Sequence, residues 1–218
     1  MIKPETLAFL TEIVANNNRE WFALHKDRYE TAKADVLSFV DELIPLLAAA
    51  DPEFPLESQA KKCLLRIYRD IRFSKNKAPY KNNYGISFGL KGSRGPMYYL
   101  HLQPGESFFA VGYWMPEAPT LKSIREEIDY NTQEFLEIIG KKSFSSIFKI
   151  SKQDSLKKAP KGYDAEHPQI ELLKMKSFIA TYPIKDEQLF KPTIVNLLKS
   201  AFHAAYPFAQ FLRKATVE

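Results

Sequence analysis

Cysteine is nearly missing from this chain: Cys63 stands alone among 218 residues. That excludes an internal disulfide and a thiolate metal cage, and it suits a reducing compartment. Histidine is also sparse. The four, at 25, 101, 167 and 203, form no i, i+4 pair and no HExxH, so no metal site is expected and no cofactor is implied. Long apolar runs are absent too. The longest, Leu43 to Ala50, is far too short to span a bilayer, so no membrane partner is expected. Met1 to Thr6 lacks an apolar signal core, which points to a cytoplasmic location. There is no GxSxG elbow, no internal repeat and no low-complexity linker. Gly140-Lys141-Lys142-Ser143 resembles a phosphate loop only superficially. Phe135 stands where the first glycine is needed, and the strand-to-helix order is reversed, so a helix end is the better reading.

What the chain does have is charge asymmetry. The net charge is +5, yet residues 61–94 alone hold ten Lys or Arg and one acid, +9. The remaining 21 bases and 25 acids leave −4 elsewhere. A basic segment inside a mildly acidic protein points to an anionic partner. The other account of such a segment is a solvated cationic face.

With 45% hydrophobic and 13% aromatic residues, the chain can bury a large core. Its first third reads as helical, with Leu7, Leu10, Ile13 and Val14 on one stripe. Asn17, three residues before Glu20, reads as a capping box, and Cys63 lies among basic neighbours that would lower its pKa. A second helix carries Trp21, Phe22, Leu24 and Tyr29 and runs towards Ala50, with Pro45 expected to kink or shorten it. The middle third reads as strands at Leu64 to Phe73, Tyr84 to Leu90, Met97 to Leu102 and Ser107 to Trp114, with a turn over Lys91 to Pro96. Thr120 is expected to cap a helix that keeps its period to Ile139. A strand over Phe144 to Ile150, a short helix from Pro168, an extended piece from Ser177 to Tyr182 and a helical tail divided by Pro192 and Pro207 complete the reading. Helices, meander, helices: the expected fold class is α+β, a single domain with N- and C-terminal helices packed on an antiparallel β-meander.

Chemistry concentrates in residues 66–81, which hold six cations, two tyrosines and the lone Asp70. As a strand, Leu65, Ile67, Ile71 and Phe73 would share one face, and Arg66, Tyr68, Asp70 and Arg72 the other. Asp70 could then orient both guanidinium planes towards an anion, whose oxygens suit the bidentate Arg fork. The following loop adds Ser74, Lys75, Lys77, Tyr80 and Lys81, and together with Arg66, Tyr68, Arg69 and Arg72 these are the expected ligand-binding residues. Arg125 and Lys161 are candidate distal contributors. Were the site catalytic, Asp70 or His101 would be its acid or base. The opposing account pairs Arg66 and Arg72 with helix acids such as Glu30 or Asp41. The meander aromatics, Tyr98, Tyr99, Phe108, Phe109, Tyr113 and Trp114, serve either the core or base stacking.

Asn18-Arg19-Glu20-Trp21-Phe22 with His25-Lys26 and Tyr29, then Arg66 to Lys75 with Lys77 and Pro79-Tyr80-Lys81, resemble the domain-of-unknown-function family 2461. Gly112-Tyr113-Trp114, Ile124-Arg125, Lys161-Gly162-Tyr163-Asp164 and His167-Pro168 extend the resemblance along nearly the whole chain. Asn76 departs from it where the family pattern expects Asp, which argues against a metal role for the loop. The resemblance implies a single domain and gives weight to the central motif; it implies no mechanism. The reading drawn from these residues is binding of a phosphorylated small molecule or nucleotide. A nucleic-acid-binding module using the basic 61–94 segment is the alternative.

Overall fold

The computed structural model describes residues 1–55, 57–89 and 95–216. The chain opens with α1 (Pro4–Ala15), α2 (Arg19–Leu24), α3 (Lys26–Ala50) and the single turn α4 (Ala60–Cys63). Strands β1 (Tyr84–Phe88), β2 (Met97–Leu102) and β3 (Phe108–Tyr113) follow. After α5 (Ala118–Tyr130), α6 (Thr132–Gly140) and α7 (Lys142–Ser145) come β4 (Lys149–Ile150), α8 (Ile170–Leu173) and β5 (Phe178–Pro183). The turn α9 (Asp186–Leu189) and the long α10 (Thr193–Lys214) close the chain. The strands form one antiparallel sheet in the order β1-β2-β3-β5-β4, so the fold is α+β as expected. Among the described residues no helix is long and apolar enough to cross a membrane.

Contacts gather the chain into two compact units. The first takes the chain up to β1, residues 99–109 and residues 183–202. In it, α1 lacks a side-chain cap of its own. Asp35 of α3 substitutes, accepting from the Lys3 N–H at 2.9 Å and the Thr6 hydroxyl at 2.6 Å. Arg28 of α3 grips Glu12 of α1 through both carboxylate oxygens at 2.7 Å. Phe88 and Phe109 meet Phe202 of α10 edge-on, which seats the start of the last helix on the sheet.

The second unit takes residues 95–98, residues 110–182 and the chain from 203. Phe135, Phe144, Phe208 and Phe211 pack there as a ring cluster. Gly112 lies on β3 with φ +125°, and a Cβ would run into the Phe178 carbonyl of β5, so only glycine lets these strands close.

Several sequence expectations fail for local reasons. Pro45 and Pro207 sit inside α3 and α10 without ending them, because core residues on both sides hold the helices. The helix expected from Thr120 to Ile139 breaks at Asn131, whose backbone leaves the helical region while its amide donates to Glu127. Glu117, not Thr120, precedes that helix, and it caps with no side chain. Residues 142–145 form a helical turn, so the strand expected from Phe144 is only Lys149–Ile150. Residues 91–94 of the turn expected over Lys91 to Pro96, and the Leu90 end of the strand expected from Tyr84, lie outside the described residues.

Candidate functional site

Residues 64–73 are not a strand. Leu64 makes an isolated bridge to Ile86, Tyr68 makes another to Tyr80, and nothing regular lies between. The expected two faces disappear with it: Ile67 is buried, but Leu65 is exposed and Phe73 is 95% exposed. The segment is instead the stem of a loop. Lys81 N–H donates to the Ile67 carbonyl at 2.8 Å and Arg69 N–H to the Pro79 carbonyl at 2.9 Å, which closes residues 69–79 at the base.

Inside the loop, side chains replace regular pairing. The Lys77 ammonium donates to the Ile71 carbonyl at 3.0 Å, and Asn76 Oδ1 accepts the Ala78 N–H at 2.9 Å in an Asx turn. Arg72 meets Asp70 as a fork, Nε to Oδ1 at 3.0 Å and Nη2 to Oδ2 at 2.7 Å. This hydrogen bonding, with the nearby Arg66 charge as a lesser cause, holds the Asp70 carboxyl below its ordinary range. Asp70 therefore orients one arginine rather than two, and Arg72 reaches neither Glu30 nor Asp41. Arg66 makes no hydrogen bond or ion pair among the described residues.

A second element holds the loop from outside. The Asn17 amide, just past α1, donates to the Tyr80 carbonyl and accepts the Tyr80 N–H, both at 3.0 Å. The side chain thus acts as a one-residue strand for a buried backbone. Asn17 is free for this because Asn18 is the helix cap, its Oδ1 taking the Trp21 N–H at 2.8 Å; the expected Asn17 cap is corrected accordingly. The Tyr80 ring stacks on Phe22 at 4.0 Å, and Tyr68 leans on both. His25 packs flat on Trp21 at 4.2 Å.

The loop and these anchors border a half-open cavity of about 450 Å³ lined by Val14, Asn17, Arg69, Asn76, Ala78, Tyr80, Lys81, Asn82 and Asn83. Two cations and four amides converge in it, with no carboxylate or imidazole. Arg69 spends one donor on the Ala78 carbonyl at 3.2 Å, leaving the rest of its fork available. Lys81 makes no side-chain hydrogen bond among the described residues. Burial, and then the nearby charge of Arg66, lower its pKa from the ordinary lysine value. Such a lining can hold an oxyanion and hydrogen-bond a polar body attached to it.

Of the residues expected at the site, Arg69, Tyr80 and Lys81 line the cavity. Arg66 reaches Lys81 through its field. Tyr68 supports Tyr80. Ser74, Lys75, Lys77, Asp70 and Arg72 belong to the same loop but not to the lining. His101 lies on β2, its ring nitrogens 3.0 Å from the Tyr99 hydroxyl and from Gln103 Oε1, with its ring stacked on Phe108 at 4.8 Å. Gln103 in turn donates to Glu106. Arg125 belongs to the second unit, where Nη2 donates to the Met175 carbonyl at 2.9 Å and its buried Nε has no partner among the described residues. Cys63 is buried, and burial raises its thiol pKa, so the lowering expected from basic neighbours does not occur. Among the described residues, no group of three His, Cys, Asp or Glu that could hold a metal comes together.

Sequence reading missed Val14, Asn17, Asn82 and Asn83. The run Lys81-Asn82-Asn83 carried a usable signal, two amides directly after a basic loop. Asn17 carried none, since its partner lies 63 residues away.

The family of conserved hypothetical proteins DUF2461 matches residues 5–211, and the chain belongs to it. No curated protein and no solved structure matches the chain.

Proposed function

We propose that this DUF2461 protein binds a phosphorylated small molecule or nucleotide in the cavity between the 69–79 loop and Asn17. The observation that carries the reading is the pairing of Arg69 and Lys81 in one concave, amide-lined space without a carboxylate. A desolvated Lys81, repelled by Arg66, gains when an oxyanion arrives, because the opposite charge favours the ammonium and offsets the repulsion. A cavity of about 450 Å³ falls within the range of small-molecule sites. Asp70 and His101, the acid or base expected from the sequence, lie outside the lining, whose titratable side chains are Arg69, Tyr80 and Lys81.

Thermal unfolding of the wild type and Arg69→Ala against phosphate, pyrophosphate, AMP, ribose 5-phosphate and unphosphorylated ribose tests it. Ligand at 100 times its Kd adds about 2.7 kcal/mol, a rise of about 5–10 °C for a chain of this size. The expected result is a rise for phosphorylated compounds, none for ribose, and loss of the rise in Arg69→Ala. No rise with any of them contradicts the reading.

A further inference from the structure

The 69–79 loop has a tip that the cavity does not use. Its stem is closed by the Arg69–Pro79 and Ile67–Lys81 backbone bonds, and its interior by Lys77 and Asn76. An internally braced loop that still leaves the Phe73 ring 95% exposed forgoes the burial such a ring normally provides. Arg72 lies against the ring, its guanidinium 5.8 Å from the centroid. Around it, residues 66–81 carry six cations against one acid, and Arg66 and Lys75 make no hydrogen bond or ion pair among the described residues. Tyr68, at the stem, is 51% exposed.

We propose that the loop binds phosphorylated single-stranded nucleic acid, with a phosphate in the Arg69–Lys81 cavity and a base stacked on Phe73. This rests on the anion-binding reading of the same cavity and names the ligand class it serves. A flat exposed ring on a cationic loop is the combination by which proteins hold unpaired bases, since every base offers a π-face. An acidic peptide fits less well: its carboxylates would engage the cations but give the exposed Phe73 ring no flat partner. A membrane surface also fits less well. Phe73 is the loop's one fully exposed apolar side chain, Ile71 and Pro79 being half-buried, whereas interfacial anchoring needs a broad apolar face.

The test is fluorescence anisotropy of a short, labelled, terminally phosphorylated oligonucleotide with the intact chain. Wild type, Phe73→Ala, Phe73→Tyr and Arg69→Gln are compared, with pyrophosphate binding measured on the same samples. Phe73 has almost no burial to lose, so the Phe73 variants should melt like the wild type. The expected result is oligonucleotide binding that weakens about tenfold in Phe73→Ala and survives in Phe73→Tyr, with pyrophosphate affinity unchanged by both. Affinity should also fall as salt rises. Oligonucleotide binding that is absent, or indifferent to Phe73, while pyrophosphate binds and depends on Arg69, overturns this inference and leaves the small-molecule reading standing. Failure of pyrophosphate as well overturns both. Phe73-dependent binding to phosphatidylserine vesicles without oligonucleotide binding also overturns it, in favour of a membrane surface.

Discussion

The Asn17 amide and the Tyr80 backbone form a closed pair, each side giving one N–H and taking one at 3.0 Å. The pair ties the end of α1 to the foot of the basic loop. Tyr80 is buried, so both of its backbone groups need these bonds. Asn17→Ala leaves them unpaired. The expected loss is about 2–3 kcal/mol in urea unfolding, with faster amide exchange across residues 69–81. Asn17→Asp keeps the acceptor but loses the donor and should fall between the two.

Tyr84 provides a contrast. Its hydroxyl is buried and has no partner among the described residues, and burial, followed by the charges of Tyr29, Glu30 and Asp35, raises its pKa. Tyr84→Phe removes an unsatisfied group and keeps the ring. Stability should be unchanged or rise by about 1 kcal/mol. Tyr113→Phe instead deletes a 2.9 Å bond to Thr216 and should cost about 1 kcal/mol. Denaturant midpoints with a constant m-value distinguish the two variants.

Gly112→Ala should be among the most damaging single changes in the chain. At φ +125° an L side chain is strained, and the added Cβ collides with the Phe178 carbonyl. A loss of about 4 kcal/mol or failure to fold is expected. Gly105→Ala has a similar sign of φ, +74°, but open space around it, and should cost only about 1–2 kcal/mol. Expression level and thermal midpoint check both.

Lys81 makes ligand affinity depend on pH. Burial first, then Arg66, lower its folded pKa, so the native state binds this proton less firmly than the unfolded chain does. Below the folded pKa the charged, desolvated ammonium costs stability. That cost is relieved as pH rises from the folded pKa towards the ordinary lysine value of about 10.4. Anion binding has the opposite sense: it is full while Lys81 is charged and lost as pH rises through its folded pKa. Sulfate, which does not titrate here, should therefore bind more weakly at alkaline pH, with the loss setting in below the ordinary lysine value. Lys81→Arg should flatten the profile.

The sequence made the fold class legible because its signals were long. The periodic stripes of α1, α3 and α10 and the strand runs of β1, β2 and β3 survived tertiary packing. Residues 64–73 were misread because Ile, Phe and Tyr are strand formers, while strand formation also needs a neighbour to pair with. Only Leu64 and Tyr68 have one. At the site, the motif named the loop, and of its expected residues Arg69, Tyr80 and Lys81 line the cavity. Alternation placed Arg66, Asp70 and Arg72 on the binding face. The actual bend turns Arg69, which alternation had put among the apolar residues, into the cavity beside Lys81. The closure by Asn17 spans 63 residues and leaves no local trace.

The most direct test of the central claim compares Arg69→Gln with Arg72→Gln by isothermal titration of pyrophosphate. Glutamine keeps the length needed to reach the Ala78 carbonyl while removing the charge and the fork. A lost charge-assisted contact is worth about 1.5–3 kcal/mol, roughly ten- to a hundredfold in Kd. The expected result is that loss for Arg69→Gln and less than about threefold for Arg72→Gln, whose charge Asp70 already neutralises. Equal affinity for wild type and Arg69→Gln, or the larger loss in Arg72→Gln, contradicts the account.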